Sequence, residues 1–168
     1  NWSWFMRDPE APIPNFIDPP QMIFSSCIPE SIVIEIIDPH GVDSSTIEFL
    51  INGNAHDIYD ENVSWEEPFL TYYANDGWQD NDTVNIELRH AFDFFGNDIT
   101  SPIFRTFMVD YTAPTAEFLL PVEEMVRDIQ QDITISFDDN LSGVDESSIV
   151  LTVDNIEYMS DDLNITMD

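Results

Sequence analysis

The stretch "DDNLSG" sets Asp138, Asn140 and Ser142 at alternate positions before Gly143, the first half of a calcium loop of the form D-x-N-x-S-G. Oxygen donors at that spacing converge on one cation, and the glycine permits the bend that brings them round. Position twelve of such a loop is Ile149, where a bidentate carboxylate belongs. A complete shell therefore needs Asp139, Asp145 or Glu146, or a neighbouring loop, with Ca2+ as the candidate cofactor. The plainer expectation is a solvated acidic turn. Two further pairs of acids, Asp8 with Glu10 and Asp110 near Glu117, fall where successive repeat units are expected to meet, and Ca2+ there would relieve mutual repulsion and stiffen the array.

Acid–base and nucleophilic chemistry find little support. His40, His56 and His90 are scattered, Cys27 stands alone, and no phosphate-binding glycine loop, zinc-ligand spacing or nucleophile elbow occurs. No catalytic residue is assigned, and the chain reads as non-enzymatic. Aromatic residues carry the rival chemistry. Trp65, Tyr72, Tyr73 and Trp78 lie in one region, and Trp78 sits in "NDGWQDND", a polar loop able to present an indole to a sugar ring. The competing expectation is that Trp65 and one tyrosine fill the core while Trp78 plugs the end of the sandwich. Asn-x-Ser/Thr sequons at Asn1, Asn62, Asn81, Asn140 and Asn164 point to a glycosylated exterior protein.

The charge balance narrows the partners. There are 34 acidic residues against four basic ones, all arginine, for a formal net charge of -30. Nucleic acid is excluded, because cationic side chains must replace its counterions. An anionic membrane repels such a chain for the same reason, and no apolar run reaches the roughly 18 residues of a transmembrane helix. The opening "NWSWFMRDPE" lacks the basic end and apolar stretch of a signal peptide. An acidic surface suits a salty or cation-rich exterior, or repulsion between neighbouring molecules. Apolar residues make up 43% of the chain, enough to build cores. The single cysteine excludes an internal disulfide and a thiolate metal cluster.

The elements that position these residues are written twice. "GVDSSTIEFLING" from Gly41 and "GVDESSIVLTVDN" from Gly143 match at a constant offset of 102 residues. The same offset aligns "RDPEAPIPNF" from Arg7 with "VDYTAPTAEF" from Val109, and "FMRD" from Phe5 with "FMVD" from Phe107. Between them "SIVIEIID" matches "DITISFDD" at an offset of 101, so the second copy carries one extra residue before its glycine. A period near 100 residues fits an array of whole domains. Residues 1–7 then close a preceding unit, 8–110 form a complete one, and 111–168 form the first half of another, a piece of a longer array. In such a half module, edge strands await cover from further chain or from a neighbouring molecule.

Within a unit apolar residues alternate, as in Ile32, Ile34, Ile36; Ile47, Phe49, Ile51; Val84, Ile86, Leu88; and, in the second copy, Ile133, Ile135, Phe137 with Ile149, Leu151, Val153. Period two over short runs is a half-buried strand. Turn formers at "DPHG", "NGN", "ANDG", "FGND" and "NLSG" separate the runs. About seven strands per unit predict a two-sheet β-sandwich of immunoglobulin type. The alternation slips between Leu88 and Ala91, which predicts a bulge near Arg89 and His90. Residues 121–133 have helical spacing, but Pro29 in the equivalent stretch limits the expectation to one turn. Glycine permits positive φ in the twin turn, and Asp43 or Asp145 is expected to cap a short helical turn through the backbone amides beyond it.

Taken together, "GVDESSIVLTVDN", "AFDFFGND" and "FMVDYTAP" resemble the tandem immunoglobulin-like repeat modules of large exported proteins of bacteria and archaea. The likeness spans nearly the whole chain, through a D-x-x-G-N turn at Asp93–Asn97 and a VD-x-T-A-P joint at Val109–Pro114. It implies an all-β fold of tandem sandwiches, the second copy incomplete, at the cell surface. The implied function is a structural segment of a surface-layer protein or adhesin stalk, whose partners are neighbouring modules or copies of itself. The alternative is a carbohydrate-binding accessory module of a secreted hydrolase. "RDPEAP" departs from the joint pattern at Arg7 and Glu10, and the absence of lysine excludes a Lys–Asn crosslink.

Overall fold

The computed structural model describes residues 8–20, 24–26, 31–75, 77–121, 132–162 and 165–166. Asn1, Asn164, Cys27, most of the stretch expected to hold a helical turn, and the strand expected over residues 1–7 lie outside them. The chain divides into two compact units, Asn1–Tyr111 and Thr112–Asp168.

In the first unit the alternating runs become strands of two sheets. One sheet has the order β1-β3-β7-β6, from β1 (Ile13–Asp18), β3 (Ser31–Ile37), β6 (Val63–Glu66) and β7 (Phe69–Tyr73). The other has the order β2-β9-β8-β4-β5, from β2 (Phe24–Ser25), β4 (Val42–Ile51), β5 (Asn54–His56), β8 (Thr83–Asp93) and β9 (Ile103–Val109). Neighbours run antiparallel except β2 and β9. Among the described residues nine strands appear where seven are expected, because the short β2 and β5 add pairing at the two edges of the second sheet. Phe16, Ile32, Ile34, Ile36 and Leu70 from the first sheet meet Ile47, Phe49, Ile51, Val84, Ile86, Leu88, Phe107 and Val109 from the second in one buried cluster. The unit is all-β and sandwich-like, and alternation is the reason: every second side chain leaves water while its neighbours face it.

The slip in β8 has the expected cause. Glu48 pairs with His90 and Phe49 with Leu88, so Arg89 is the extra residue of a bulge. Beyond it Ala91 and Asp93 replace Leu88 as the inward positions. Among the described residues no helix is long and apolar enough to cross a membrane.

The second unit pairs β10 (Thr115–Leu120) with β11 (Thr134–Asp138), and β12 (Val150–Val153) with β13 (Ile156–Met159). Its ladders reproduce those of the first unit. Phe16 opposite Ile34 becomes Phe118 opposite Ile135, and the irregularity between Phe16 and Asp18 recurs between Phe118 and Leu120. Phe49 opposite His56 becomes Leu151 opposite Tyr158. Both hairpins turn through two residues at positive φ, Asn52–Gly53 and Asp154–Asn155, as a two-residue type I′ connection requires. Cis prolines follow Asp18 and Leu120 alike.

Burial is where the two units part. Phe16 is 8% exposed and its counterpart Phe118 is 64% exposed; Ile32 is 1% exposed and Ile133 is 42%. Ile133 and Phe137, in a run expected to form a half-buried strand of a half module awaiting cover, are exposed, and among the described residues no strand equivalent to β8 or β9 lies over them. Phe49→Ala is expected to cost about 3–5 kcal/mol in the first unit's unfolding transition. Leu151→Ala, at the matching place, is expected to cost under about 1 kcal/mol, because half-exposed side chains leave little cavity. Equal costs in chemical denaturation would contradict this difference.

Candidate functional site

Turns in this protein are closed by carboxylates. Asp38 Oδ1 accepts from His40 N at 2.8 Å, and in the second unit Asp139 Oδ1 accepts from Leu141 N at 3.0 Å and Gly143 N at 2.8 Å. These aspartates are equivalent, and the extra residue of the second copy is accommodated within the turn after them. Glycine at positive φ comes next in each, with φ 92° at Gly41 and 79° at Gly143. Asp43, inside β4, and Asp145 then make matching side-chain hydrogen bonds. Ser45 Oγ donates to Asp43 Oδ1 at 2.6 Å, and Ser147 Oγ donates to Asp145 Oδ1 at 2.6 Å. The hydroxyls of Thr46 and Ser148 donate back to the carbonyls of Asp43 and Asp145. Asp145 caps the short 3-10 turn Glu146–Ser148. The Ser147 hydroxyl and amide hold the Asp145 carboxyl below its ordinary pKa, against a smaller effect of burial.

The residues proposed from the calcium-like loop are thus distributed along one turn. Asp138 ends β11 opposite Thr115, exposed; Asn140, Ser142 and Glu146 are exposed; Asp139 and Asp145 engage backbone and serine donors through one oxygen each. Asp139 Oδ2 is buried and makes no hydrogen bond.

A closer grouping of donors lies in the first unit. Asp8, Asp38 and His40 each bring a ligand atom within 4.8 Å of the others. Asp8 comes from the segment leading into β1, and Asp38 and His40 come from the β3–β4 turn. The Asp8 side chain is 2% exposed and that of His40 is 41% exposed. Asp8 Oδ1 accepts from Glu10 N at 3.0 Å. Its Oδ2 lies 2.5 Å from His40 Nδ1 but outside hydrogen-bonding geometry, and Asp38 Oδ2 is likewise buried without a hydrogen bond. Sequence spacing pointed to Asp8 only as a partner of Glu10; the 30-residue separation from Asp38 carries no local signal.

The "DFFGN" turn braces this cluster. Asp93 Oδ1 accepts from the amides of Phe95 and Asn97, both at 2.8 Å, and its Oδ2 accepts from Asn97 Nδ2 at 2.6 Å. Asn97 Nδ2 also donates to the Asp8 carbonyl at 3.0 Å, and Phe95 meets the His40 ring edge-on at 5.6 Å. Burial opposes ionisation of Asp93, yet the hydrogen bonds from the Asn97 side chain and from backbone amides outweigh it and hold the carboxyl below its ordinary pKa.

The four aromatics form no common platform. Trp65, Tyr72 and Trp78 pack against the core, Trp78 edge-on to Phe107 at 5.4 Å, while Tyr73 faces outward. Tyr72 and Trp78 do share a shallow depression of about 210 Å3 with Asn62. A second depression of about 450 Å3 lies on the outer face of β3, β6 and β7, between Val33, Ser64, Glu66, Phe69 and Tyr73. His56 stacks on Phe49 at 5.5 Å and meets Tyr72 at 5.0 Å, a ring position that Tyr158 fills in the second unit. Of the described sequons, Asn81 and Asn140 are exposed and Asn62 is half-buried.

No protein-family model matches the chain, and no curated protein matches it.

The folded-state pKa of Asp93 lies below its reference value of 3.8, so its stabilising contribution is complete above that value and is lost as pH falls through the folded one. Asp93→Ala is expected to melt below the parent at neutral pH, with the gap closing in acid. A gap of constant size down to acid unfolding would contradict this assignment.

Proposed function

We propose that this chain is a non-enzymatic structural segment of an exported cell-surface protein, built from tandem immunoglobulin-like sandwiches in a surface-layer or adhesin stalk. One observation carries the proposal. The two units share strand register, ladder irregularity and hairpin at offsets of 101 to 102 residues, down to the serine hydroxyl on each aspartate. Repetition of a whole supersecondary pattern is how mechanical arrays are made, because each unit needs only to fold and connect. The exposed apolar side chains of the second unit fit a module whose remaining strands come from further chain or from another copy.

The acidic coat suits this role. Like-charged neighbours repel, which limits nonspecific association, and sequons on exposed turns at Asn81 and Asn140 are accessible to glycosylation. The alternative, a carbohydrate-binding accessory module, is supported by the depression that Tyr72 and Trp78 share, but both rings are anchored in the core.

Antibodies raised against the first unit are expected to label intact source cells, and external protease to remove the signal. Labelling that appears only after lysis would sink the proposal. Calcium stiffening is tested separately: melting in Ca2+ is expected to lie several degrees above melting in chelator. Coincident curves remove that ion from the account.

A further inference from the structure

We propose that Asp8, Asp38 and His40 form a binding site for a divalent cation of the zinc class. It stands apart from the repeat proposal and from the acidic loop of the second unit, where Leu141 takes the place of His40 after the equivalent aspartate.

The Asp8 side chain is 2% exposed, and its Oδ2 is a buried carboxylate oxygen with no hydrogen bond. Asp38 Oδ2 is a second such oxygen. Buried carboxylate oxygens are ordinarily satisfied, and two such carboxylates grouped with one imidazole ask for a positive partner. His40 supplies one when protonated, but at 2.5 Å from Asp8 it stands in no hydrogen-bonding geometry, and Asp38 keeps its oxygen unmatched. A dication answers all three atoms together.

The donor set selects the ion. Calcium takes six to eight oxygens, whereas imidazole with two carboxylates and an open position suits zinc and its neighbours. Donors around tetrahedral zinc lie about 3.2–3.5 Å apart, given bonds near 2.0–2.1 Å. The Asp8–His40 pair, at 2.5 Å, must open to that spacing and the wider separations, up to 4.8 Å, must close to it, both by rotations of the half-buried Asp38 and the exposed His40. Solvent at His40 supplies the fourth ligand. Backbone positions are already set by the Glu10 and His40 amides and by Asn97, so the ion would clamp the segment before β1 to the β3–β4 turn.

The test is titration of the full chain with Zn2+ in excess Mg2+ and Ca2+, which occupy oxygen-only sites, read by calorimetry and melting. One equivalent is expected to bind and to raise the melting temperature. Asp38→Asn keeps the Oδ1 acceptor for the His40 amide, and His40→Phe keeps a ring against Phe95, so both are expected to fold. Each is expected to weaken binding at least about tenfold, the loss seen when even an outer partner of a metal ligand is removed. A Zn2+ response of equal strength in both variants would mean diffuse binding to the acidic surface and overturn the site. Absence of a saturable response in the parent, with His40 serving as counter-charge to Asp8 alone, would overturn it equally.

Discussion

Carboxylates that accept hydrogen bonds from the backbone of their own turns are the interaction on which this protein's shape depends. Two sheets facing one apolar layer leave every connecting loop with amides to satisfy, and unsatisfied amides near a core are costly. Asp38, Asp43, Asp93, Asp139 and Asp145 each take that role with oxygens two to four residues from the donor. Asp93 reaches furthest, because Asn97 passes the constraint on to the backbone of Asp8, 89 residues away in sequence.

The same chemistry explains how so acidic a chain folds. A formal charge of -30 opposes compaction, but carboxylates ionised in turns are stabilised by the amides they hold. Cations are scarce, and the three histidines each face an aspartate through Nδ1: His40 with Asp8, His56 with Asp60 and His90 with Asp98. Arg105 instead lies over the Phe16 ring at 5.1 Å, joining a strand of one sheet to the other. Much of the acidity is thus structural in its inner part and repulsive only at the surface.

Strand identity was legible from residue order alone wherever alternation was unbroken, and the slip after Leu88 located the bulge at Arg89. The repeat was legible too, including the extra residue of the second copy, since "GVD" turns and their serine partners depend on neighbours within four residues. Burial of Trp65, Trp78 and one tyrosine was legible as the competing expectation, but which tyrosine turns inward was not. Trp65, Tyr72 and Trp78 lie near Tyr73 in sequence, but strand pleat and loop direction send them inward and Tyr73 outward. The exposure of Ile133 and Phe137 was legible only in part: a half module was expected to lack cover, but alternation marks a face as apolar without saying what covers it.

What the sequence determined by itself is everything governed by period and by short-range hydrogen bonding: all-β pairing, two-residue hairpins and aspartate-capped turns, repeated at a set interval. The tertiary structure alone decided which carboxylates lose water and meet. Asp8 and Asp38 are ordinary turn acids in isolation, each with an amide two residues on. Only the closing of β1 onto β3, with the "DFFGN" turn bracing Asp8, groups these two carboxylates with His40 and buries one oxygen of each. Burial is a property of the assembled sheets, and no local pattern encodes it.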